Sequence, residues 1–460
     1  MFFRLKSSRL WVLLFAVGSL GTLAVVVHLI PFLDGTLHPF GYDTGFYRRY
    51  LIEPFVSFPN APVPGLGTDA FIPRLILDGL RLFPLATDVI LYGSYVAFFA
   101  ILPILAFLLL RQHAGIRAAY FSALFLILSP IQYQAFWFMF WKNAWALCPL
   151  FIAFICIERR WWLALYAADI AIAFSHKTTA ILYIATLLVF ALINKERKNI
   201  LLHILLTMAL LLSVSFHTFS AAIRISPEAA FIEWGEYAAF SIPFALIILF
   251  FLLRGWKLKI PPILIAFMLA SFAFPVLHLP FYQRIFVFCD IGLAILAGLA
   301  FDATLRRISL ANLRVRDTLP MLGGVVGIGL LVGSLVSQIV TLPLLMSPVS
   351  ILRIEEIGLR VPADATILTT TEEAPWFEGF TLAHIAAPGM LHDNHNLEEW
   401  EAFWTSTSAE DKAQFLASLP QPLYIATLDD PSHLLGTTTI PCLREVSHYL
   451  LYNACTMPMK

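Results

Sequence analysis

Charged residues are scarce in this sequence. Asp, Glu, Lys and Arg supply 13% of the 460 residues, while hydrophobic residues supply 59%. An ordinary soluble domain carries roughly 25% charged residues, so a chain this poor in charge cannot cover a globular surface. The formal net charge of +0 also lacks the basic excess that is typical of nucleic-acid-binding proteins. The composition therefore excludes a wholly water-soluble protein and gives no indication of a nucleic-acid partner.

Several common catalytic motifs are missing as well. The sequence contains no Walker-type glycine-rich loop, no HExxH and no GxSxG. His392, Asp393 and His395 form a His/Asp cluster in a polar segment, but such clusters are more often solvated than metal-binding. No metal site and no cofactor are predicted from the sequence, and dependence on a divalent cation stays open.

Cysteine is rare, with 5 residues in the chain. Cys148, Cys156 and Cys289 lie in apolar segments, where we expect them to behave as small core residues. Cys442 and Cys455 lie in the polar C-terminal part, where a disulfide would form if that part faces an oxidising compartment. Because spacing alone does not show that two side chains meet, this pairing stays open.

Long apolar runs, in contrast, are abundant. The first, residues 10–30, is uninterrupted and long enough to cross a bilayer, since about 20 residues span roughly 30 Å of hydrocarbon. It lacks the shorter core and the A-x-A-like cleavage site of a secretory signal, which indicates an uncleaved first span. Further spans are predicted at residues 89–110, 114–128, 135–157, 200–219, 237–253, 260–277, 285–301 and 321–342.

The run 161–193 is too long for one span, because its 33 residues would rise about 50 Å as a straight helix. Two short spans are predicted instead, joined by a polar turn at residues 175–179, and the total becomes eleven. Segments assigned to the cytoplasm hold 17 Lys and Arg, against 8 in the outer loops, as the positive-inside rule requires. With the N-terminus in the cytoplasm, an odd number of spans places the C-terminus outside.

The chain changes character near residue 347. The remainder carries 15 acidic and 5 basic residues, which is typical of a small soluble domain. Strands are predicted at residues 365–370 and 422–426, and helices at 396–404 and 409–418. The predicted fold class is an all-α polytopic membrane domain of about eleven helices, residues 1–345, followed by a small α/β extracytoplasmic domain, residues 346–460.

The longest connection in the membrane part is the first outer loop, residues 31–85. Long ordered loops are commonly functional. Its segment 41–50, Gly-Tyr-Asp-Thr-Gly-Phe-Tyr-Arg-Arg-Tyr, holds a carboxylate and two guanidinium groups among aromatic rings. The loop contains no DxD pair suited to a divalent cation. The candidate residues of this loop are Asp43 and, as further contacts, Tyr42, Tyr47, Arg48 and Arg49.

Basic residues also stand at the predicted outer ends of several spans. Charges at a membrane face are costly unless they are used, and fixed cations suit the developing negative charge of a lipid phosphate leaving group. The candidates for such a phosphate site are Lys142, His176, Lys177 and Arg284, with Arg224 as a weaker one. Other outer acidic residues are candidates for a second carboxylate, and the sequence does not rank them: Glu53, Asp69, Asp78, Glu228, Glu233 and Glu236.

Each candidate also has a simpler interpretation. Asp43 is a favoured residue type for capping the helix that starts near Thr44. Lys142 lies among three tryptophans and would then only extend to the membrane surface, and Arg284 would be an interfacial anchor. Under the same interpretation, Arg48 contacts solvent or lipid headgroups, as does Arg49.

The layout resembles the GT-C superfamily of polytopic glycosyltransferases that use polyprenyl-phosphate-linked sugars, in particular its RgtA/B/C/D-like and mannosyltransferase-like branch. A first span, a long outer loop with an acid, many spans and an outer C-terminal domain carry the resemblance over nearly the whole chain. It implies that Asp43 is the loop carboxylate that serves as base, that residues 175–179 are the short polar turn, and that Arg284 opens a late span. Many members carry a second acid after the first, whereas Thr44 and Gly45 follow Asp43 here.

These observations predict an enzyme of the cytoplasmic membrane that transfers a sugar from a polyprenyl phosphate to a glycan, lipid or protein acceptor at the outer face. A single carboxylate, Asp43, would act as general base, and direct displacement would invert the anomeric centre. Two alternatives stay open from the sequence. One is a transporter or flippase of lipid-linked glycans, and the other is a non-catalytic membrane scaffold.

Overall fold

The computed structural model describes residues 7–33, 41, 43–52, 71–194, 197–222, 232–253, 258–279, 282–307, 315–342, 344–388, 395–429, 431, 435, 440 and 442–454. The chain divides into two compact units. The first contains residues 1–36, 68–75 and 92–343, and the second contains residues 37–67, 76–91 and 344–460. Most of the long first loop therefore belongs to the same unit as the C-terminal part.

Helices form the described part of the first unit and of the first loop. In chain order they are α1 (Ser7–Leu29), a 3-10 turn at Ile30–Phe32, α2 (Thr44–Ile52), α3 (Phe71–Leu80), α4 (Thr87–Ala114), α5 (Ile116–Ile127), α6 (Pro130–Trp137), α7 (Trp141–Arg159), α8 (Trp162–Ala173), α9 (Lys177–Ile193), α10 (Arg197–Ala222), α11 (Trp234–Leu252), α12 (Pro262–Val276), α13 (Tyr282–Arg307) and α14 (Val315–Thr341).

Every predicted span overlaps a helix of this series. Among the described residues, six helices are long and apolar enough to cross a membrane by themselves, namely α1, α4, α7, α11, α13 and α14, and a seventh span results if the bent pair α5 and α6 is counted as one. The polytopic helical fold is thus confirmed. The count of eleven stays a prediction, because α8, α9, α12 and the described apolar part of α10 are shorter.

Two breaks between helices, at residues 128–129 and 138–140, bear on the predicted spans. Between α5 and α6 the axis bends by 46° where Ser129 precedes Pro130, and proline disfavours a helical residue before it. Between α6 and α7, Met139 has a left-handed φ of 58°. The prediction of one span over 135–157 is therefore wrong at its start, because α7 begins only at Trp141. The division of 161–193 into two helices is confirmed, but the turn lies at residues 174–176 and not at 175–179, because α9 already begins at Lys177.

The C-terminal part of the second unit is a small α/β fold. Its elements are α15 (Pro348–Arg360), β1 (Thr366–Leu368), α16 (Ala374–Phe380), β2 (His384–Ala386), α17 (Leu397–Thr405), α18 (Ala409–Ser418), β3 (Leu423–Ala426), β4 (Leu443–Ser447) and β5 (Leu450–Asn453). The strand order is β2-β1-β3-β5-β4. Strand β1 pairs parallel to both β2 and β3, while β5 is antiparallel to β3 and β4. The two predicted strands and two predicted helices are confirmed.

Both faces of this sheet are covered. Successive residues of a strand point to opposite faces, so Ile367 packs with residues of α15 and α16 while Leu368 packs with residues of α17 and α18. Side-chain caps set the helix starts. At α17, Asn396 accepts the backbone N–H of Glu399 at 2.9 Å, and the Glu399 carboxylate accepts the backbone N–H of Asn396 at 2.8 Å. These two bonds form a capping box.

Helices α5 and α13 of the first unit touch through their backbones. A Cβ built on Gly298 would lie 2.3 Å from Ser122 Cα and 2.4 Å from Ser122 N. The Ser122 hydroxyl contacts the carbonyl of Ile295 at 3.0 Å and the carbonyl of Ala118, also at 3.0 Å. Small residues allow this approach, as is common where membrane helices pack.

We expect Gly298→Ala to destabilise the protein by about 1–3 kcal/mol, the usual cost of overpacking, because the new methyl group meets backbone rather than a movable side chain. The measurement is the midpoint of heat denaturation in detergent. The matched control is Gly333→Ala in α14, where a Cβ has no neighbour within 4 Å and the helix should gain roughly 0.5–1 kcal/mol. Equal midpoints for the two variants would contradict the close approach of α5 and α13.

Candidate active site

The polar turn between α8 and α9 is held by its own side chains. His176 is the N-cap of α9, since its Nδ1 accepts the backbone N–H of Thr179 at 3.4 Å and lies 2.9 Å from the Thr179 hydroxyl. The Ser175 hydroxyl accepts the Trp145 indole N–H at 2.8 Å and donates to the carbonyl of Ala171. Ser175 and His176 are both buried. The predicted turn is therefore an ordered feature of the first unit.

The four predicted phosphate-site residues come together at this turn. Burial lowers the pKa of His176 well below its ordinary value, and the positive charges of Lys142, Arg284 and Lys177 lower that pKa further. Charges act in this way only over short distances in a protein interior. Three separate helices, α7, α9 and α13, thus bring their cations to one imidazole ring.

These three cations occupy unusual positions in their helices. Lys142, Lys177 and Arg284 all lie in the first turn, at the second residue of α7, the first of α9 and the third of α13. The N-terminal end of a helix carries a partial positive charge, so acidic residues are favoured there and basic residues are disfavoured. Unpaired N–H groups at such ends also bind anions. Cations and helix ends are both features that anion sites in proteins use.

Thr178 is a further residue of this site that sequence reasoning did not single out. Its hydroxyl is buried, and within the described part of the chain it has no hydrogen-bond partner. The residue is 2% exposed and follows Lys177 in the first turn of α9. A buried hydroxyl without a partner calls for an explanation, and an anion accepted by this turn would supply one. The polar run 175–179 was the signal in the sequence.

A buried carboxylate was also missed. Asp290 of α13 is fully buried and accepts hydrogen bonds from the Ser129 hydroxyl at 2.7 Å and from the Gln132 side-chain amide at 2.7 Å. Gln132 also donates to the carbonyl of Val287 at 2.9 Å. These bonds join α13 to the start of α6, at the bend after α5. A lone acid inside the apolar run 285–301 was the visible signal, since acids within spans are rare.

Asp43 lies in the second unit, directly before α2. Its carbonyl accepts the backbone N–H of Tyr47 at 3.3 Å, and the N–H of Thr44 bonds to the carbonyl of Gly41 at 3.2 Å. Gly41 has a φ of 84°, a conformation that glycine adopts at little cost. Asp43 is thus at the position of a helix N-cap and is partly exposed.

The other loop-one candidates have partners inside the second unit. Tyr47 is 2% exposed. The Arg48 guanidinium lies 3.0 Å from an Asp88 carboxylate oxygen and donates to the carbonyl of Gly379 at 2.7 Å. Arg49 is 4% exposed and donates to three backbone carbonyls of the C-terminal domain. Tyr42 lies outside the described residues.

The remaining acids and metal candidates are placed as follows. Asp78 accepts the Tyr50 hydroxyl and lies 3.8 Å from Arg81, and Glu236 accepts the Gln134 side-chain amide at 3.1 Å. Within the described ranges no group of three or more His, Cys, Asp or Glu is placed to hold a metal ion. Predicted residues that lie outside the described part are Glu53, Asp69, Arg224, Glu228, His392, Asp393 and Cys455.

No protein-family model and no curated protein sequence matches the chain. Solved structures do match. The oligosaccharyltransferase of Archaeoglobus fulgidus, solved with a tethered acceptor peptide, is 12% identical with a TM-score of 0.62, over 89% of this chain and 69% of that one. ArnT from Cupriavidus metallidurans in the apo state is 14% identical with a TM-score of 0.59, over 99% and 100%. Mycobacterial arabinofuranosyltransferase AftD is 14% identical with a TM-score of 0.50, over 94% and 39%.

These similarities show that the chain shares the fold of these solved structures. The shared fold is that of a multi-pass membrane protein with apolar helices and a small mixed sheet. The similarity to these glycosyltransferases extends along nearly the whole chain. A second structure of ArnT from Cupriavidus metallidurans, bound to undecaprenyl phosphate, matches with a TM-score of 0.58 over 96% of this chain.

The low pKa of His176 gives a stability prediction. The unfolded chain binds a proton at this histidine below about pH 6.5, whereas the folded protein resists protonation because of burial and the three cations. The stability contribution is therefore complete above that pH and is lost as the pH falls toward the folded-state pKa. Relative to His176→Asn, which keeps a capping acceptor, wild type should lose stability from pH 7.5 to 5.5.

The measurement is the midpoint of heat denaturation in detergent for both proteins across this range. His448→Asn, which removes an exposed imidazole of the second unit, is the control for any general effect of losing a histidine. A difference between wild type and His176→Asn that stays constant with pH would contradict the lowered pKa of His176.

Proposed function

We propose that the protein is a membrane glycosyltransferase that moves a sugar from a polyprenyl-phosphate donor to an acceptor at the outer face of the cytoplasmic membrane. The observation that carries this proposal is the convergence of Lys142, Lys177 and Arg284 on His176. The fold shared with named glycosyltransferases supports it, and so does the structure of ArnT with undecaprenyl phosphate bound. The acceptor is a glycan, lipid or protein.

In this proposal the cation cluster binds the donor phosphate. The leaving group is a lipid phosphate whose negative charge grows as the bond to the sugar breaks, and fixed positive charges stabilise that charge without rearrangement. Arg284 presents a planar fork suited to two phosphate oxygens. Lys142 and Lys177 act as point charges, while neutral His176 and the hydroxyl of Thr178 supply hydrogen bonds.

Asp43 would be the general base. The acceptor hydroxyl must lose a proton as it attacks the anomeric carbon, so a carboxylate within hydrogen-bond reach of that hydroxyl is required. One base and one displacement invert the anomeric configuration. Tyr42, Tyr47, Arg48 and Arg49 would then form the surroundings of the base rather than take part in proton transfer.

The proposed sidedness rests on charge and on one disulfide. Basic residues favour the segments assigned to the cytoplasm, 17 against 8, which leaves the N-terminus inside and residues 346–460 outside. Cys442 is disulfide-bonded, and disulfides persist in oxidising compartments outside the cytoplasm. Both features agree with catalysis at the outer leaflet.

Asp43→Asn is expected to lower the turnover number by about 10²–10⁴-fold, the usual contribution of a general base, while binding of polyprenyl phosphate stays unchanged. The assay measures sugar transfer and release of polyprenyl phosphate by the purified protein from a panel of polyprenyl-phosphate sugars. Asp364→Asn, at an exposed turn of the C-terminal domain, is the control. A flippase would retain its transport with Asp43→Asn and release no lipid phosphate, and that result would refute the proposed enzyme.

Arg284→Gln should weaken polyprenyl-phosphate binding by about 10- to 100-fold, because a charge-assisted hydrogen bond contributes roughly 1.5–3 kcal/mol. Thr178→Val should weaken binding in the same direction by a smaller factor. Binding is measured as competition by polyprenyl phosphate against the sugar donor. Lys259→Gln removes an exposed cation before α12 and should leave the binding constant unchanged. If all three variants bind polyprenyl phosphate with equal affinity, the proposed phosphate site is wrong.

A further inference from the structure

Helix α2 of the first loop and α16 of the C-terminal domain, both in the second unit, touch through their backbones. A Cβ added to Gly45 would lie 1.6 Å from the carbonyl oxygen of Pro375. A Cβ added to Gly379 would lie 2.4 Å from the Cα of Gly45. No L side chain fits at either position without displacing one helix from the other. The two glycines therefore fix the distance between α2 and α16.

Arg49 of α2 binds the segment that directly follows α16. Its guanidinium donates to the carbonyls of Thr381 at 2.6 Å, Leu382 at 3.0 Å and Ala383 at 3.1 Å. Thr381 directly follows α16, and Leu382 and Ala383 lead on to β2, so the buried guanidinium fork supplies donors to carbonyls of the segment between the helix and the strand. Glu378 lies 3.9 Å from Arg49 and is buried as well, so the buried positive charge is compensated.

Arg48 adds a second attachment beside the first. It donates to the carbonyl of Gly379 at 2.7 Å, and its guanidinium carbon lies 3.9 Å from the centre of the Phe380 ring. Its other partner is Asp88 at the start of α4. The adjacent residues Arg48 and Arg49 of α2 thus bind four backbone carbonyls within residues 379–383.

The contacts of Arg48 and Arg49 fix the position of α2. A helix of 9 residues is too short to be stable by itself in water, so its position depends on tertiary contacts. Asp43 directly precedes α2, and its carbonyl accepts the first hydrogen bond of the helix. Whatever holds α2 therefore also holds the backbone of Asp43.

We propose that Arg49 is a positioning residue and that the C-terminal domain, through α16, holds Asp43 in its working orientation. This inference rests on the proposed function. It assigns the domain a task in catalysis that does not depend on the identity of the acceptor. A catalytic group that is displaced by about 1 Å loses roughly 10²-fold in rate, so release of α2 should reduce turnover while the phosphate site in the first unit keeps its affinity for the donor.

The test compares full-length variants in the sugar-transfer assay. Arg49→Gln removes the guanidinium donors of the three carbonyls and the positive charge that faces Glu378. We expect kcat to fall about tenfold to a hundredfold, while the KM for the donor changes less than about twofold. Arg49→Lys keeps the charge and should recover part of kcat. Arg360→Gln, an exposed arginine that pairs with Glu356 at 2.7 Å, is the control and should match wild type.

Gly379→Ala provides a second route to the same effect, because the added methyl group displaces α2 without removing a charge. Hydrogen exchange is the readout besides activity. In both Arg49→Gln and Gly379→Ala, amides of residues 44–52 should exchange faster, while amides of strands β1 and β3 keep wild-type protection. Faster exchange throughout the sheet, together with changes in both kcat and KM, would mean a general loss of folding and would overturn the positioning role.

The remaining outcomes separate the two proposals. If wild type is active, and both variants leave kcat unchanged or leave exchange in residues 44–52 unchanged, the positioning role is wrong and the proposed function stands. If wild type transfers no sugar from any donor, or Asp43→Asn is fully active, the proposed function or its base is wrong and the positioning role falls with it.

Discussion

Backbone groups without partners are the constraint on which this structure depends. The first N–H groups of a helix have no partner within it, so a helix that starts at a tight, buried turn needs side-chain partners there. Ser129 caps α6 and donates to buried Asp290, and His176 caps α9. Ser129 and His176 both lie between predicted spans, where one helix ends and the next begins. The candidate phosphate site is built from the same helix ends.

The charges at this site work against local stability. Lys142, Lys177 and Arg284 stand where the helix dipole opposes them, close enough together to disfavour protonation of His176. The buried hydroxyl of Thr178 finds no hydrogen-bond partner among the residues that the structure describes. Ordinary packing would replace such residues with acids or apolar side chains. Local rules are broken most often at functional sites, and a bound phosphate would resolve all three conflicts at once.

The spans and the polar turn could be predicted because they depend on local features, namely the length of apolar runs and the distribution of charge. The break before α7 could not, since Phe138, Met139 and Phe140 carry none of the glycine, proline or polar signals of a helix end. Asp290 was visible as a single acid in an apolar run, but its partners Ser129 and Gln132 lie in another helix. Strands β2, β4 and β5 were not predicted from the sequence, although with 3 to 5 residues each they are as long as the predicted strands β1 and β3.

The role of Arg49 is the clearest case of information that sequence patterns do not carry. Next to aromatic residues in an outer loop, it had the features of a headgroup contact, yet its partners stand more than 300 positions later in the chain. A lysine would replace it there only in part, because it keeps the charge but lacks the rigid planar fork that reaches three carbonyls at once. Loops close at a small entropic cost that grows slowly with length, so a long loop can carry a catalytic residue if a separate domain fixes its end. The paired glycines and the buried fork supply that fixed point.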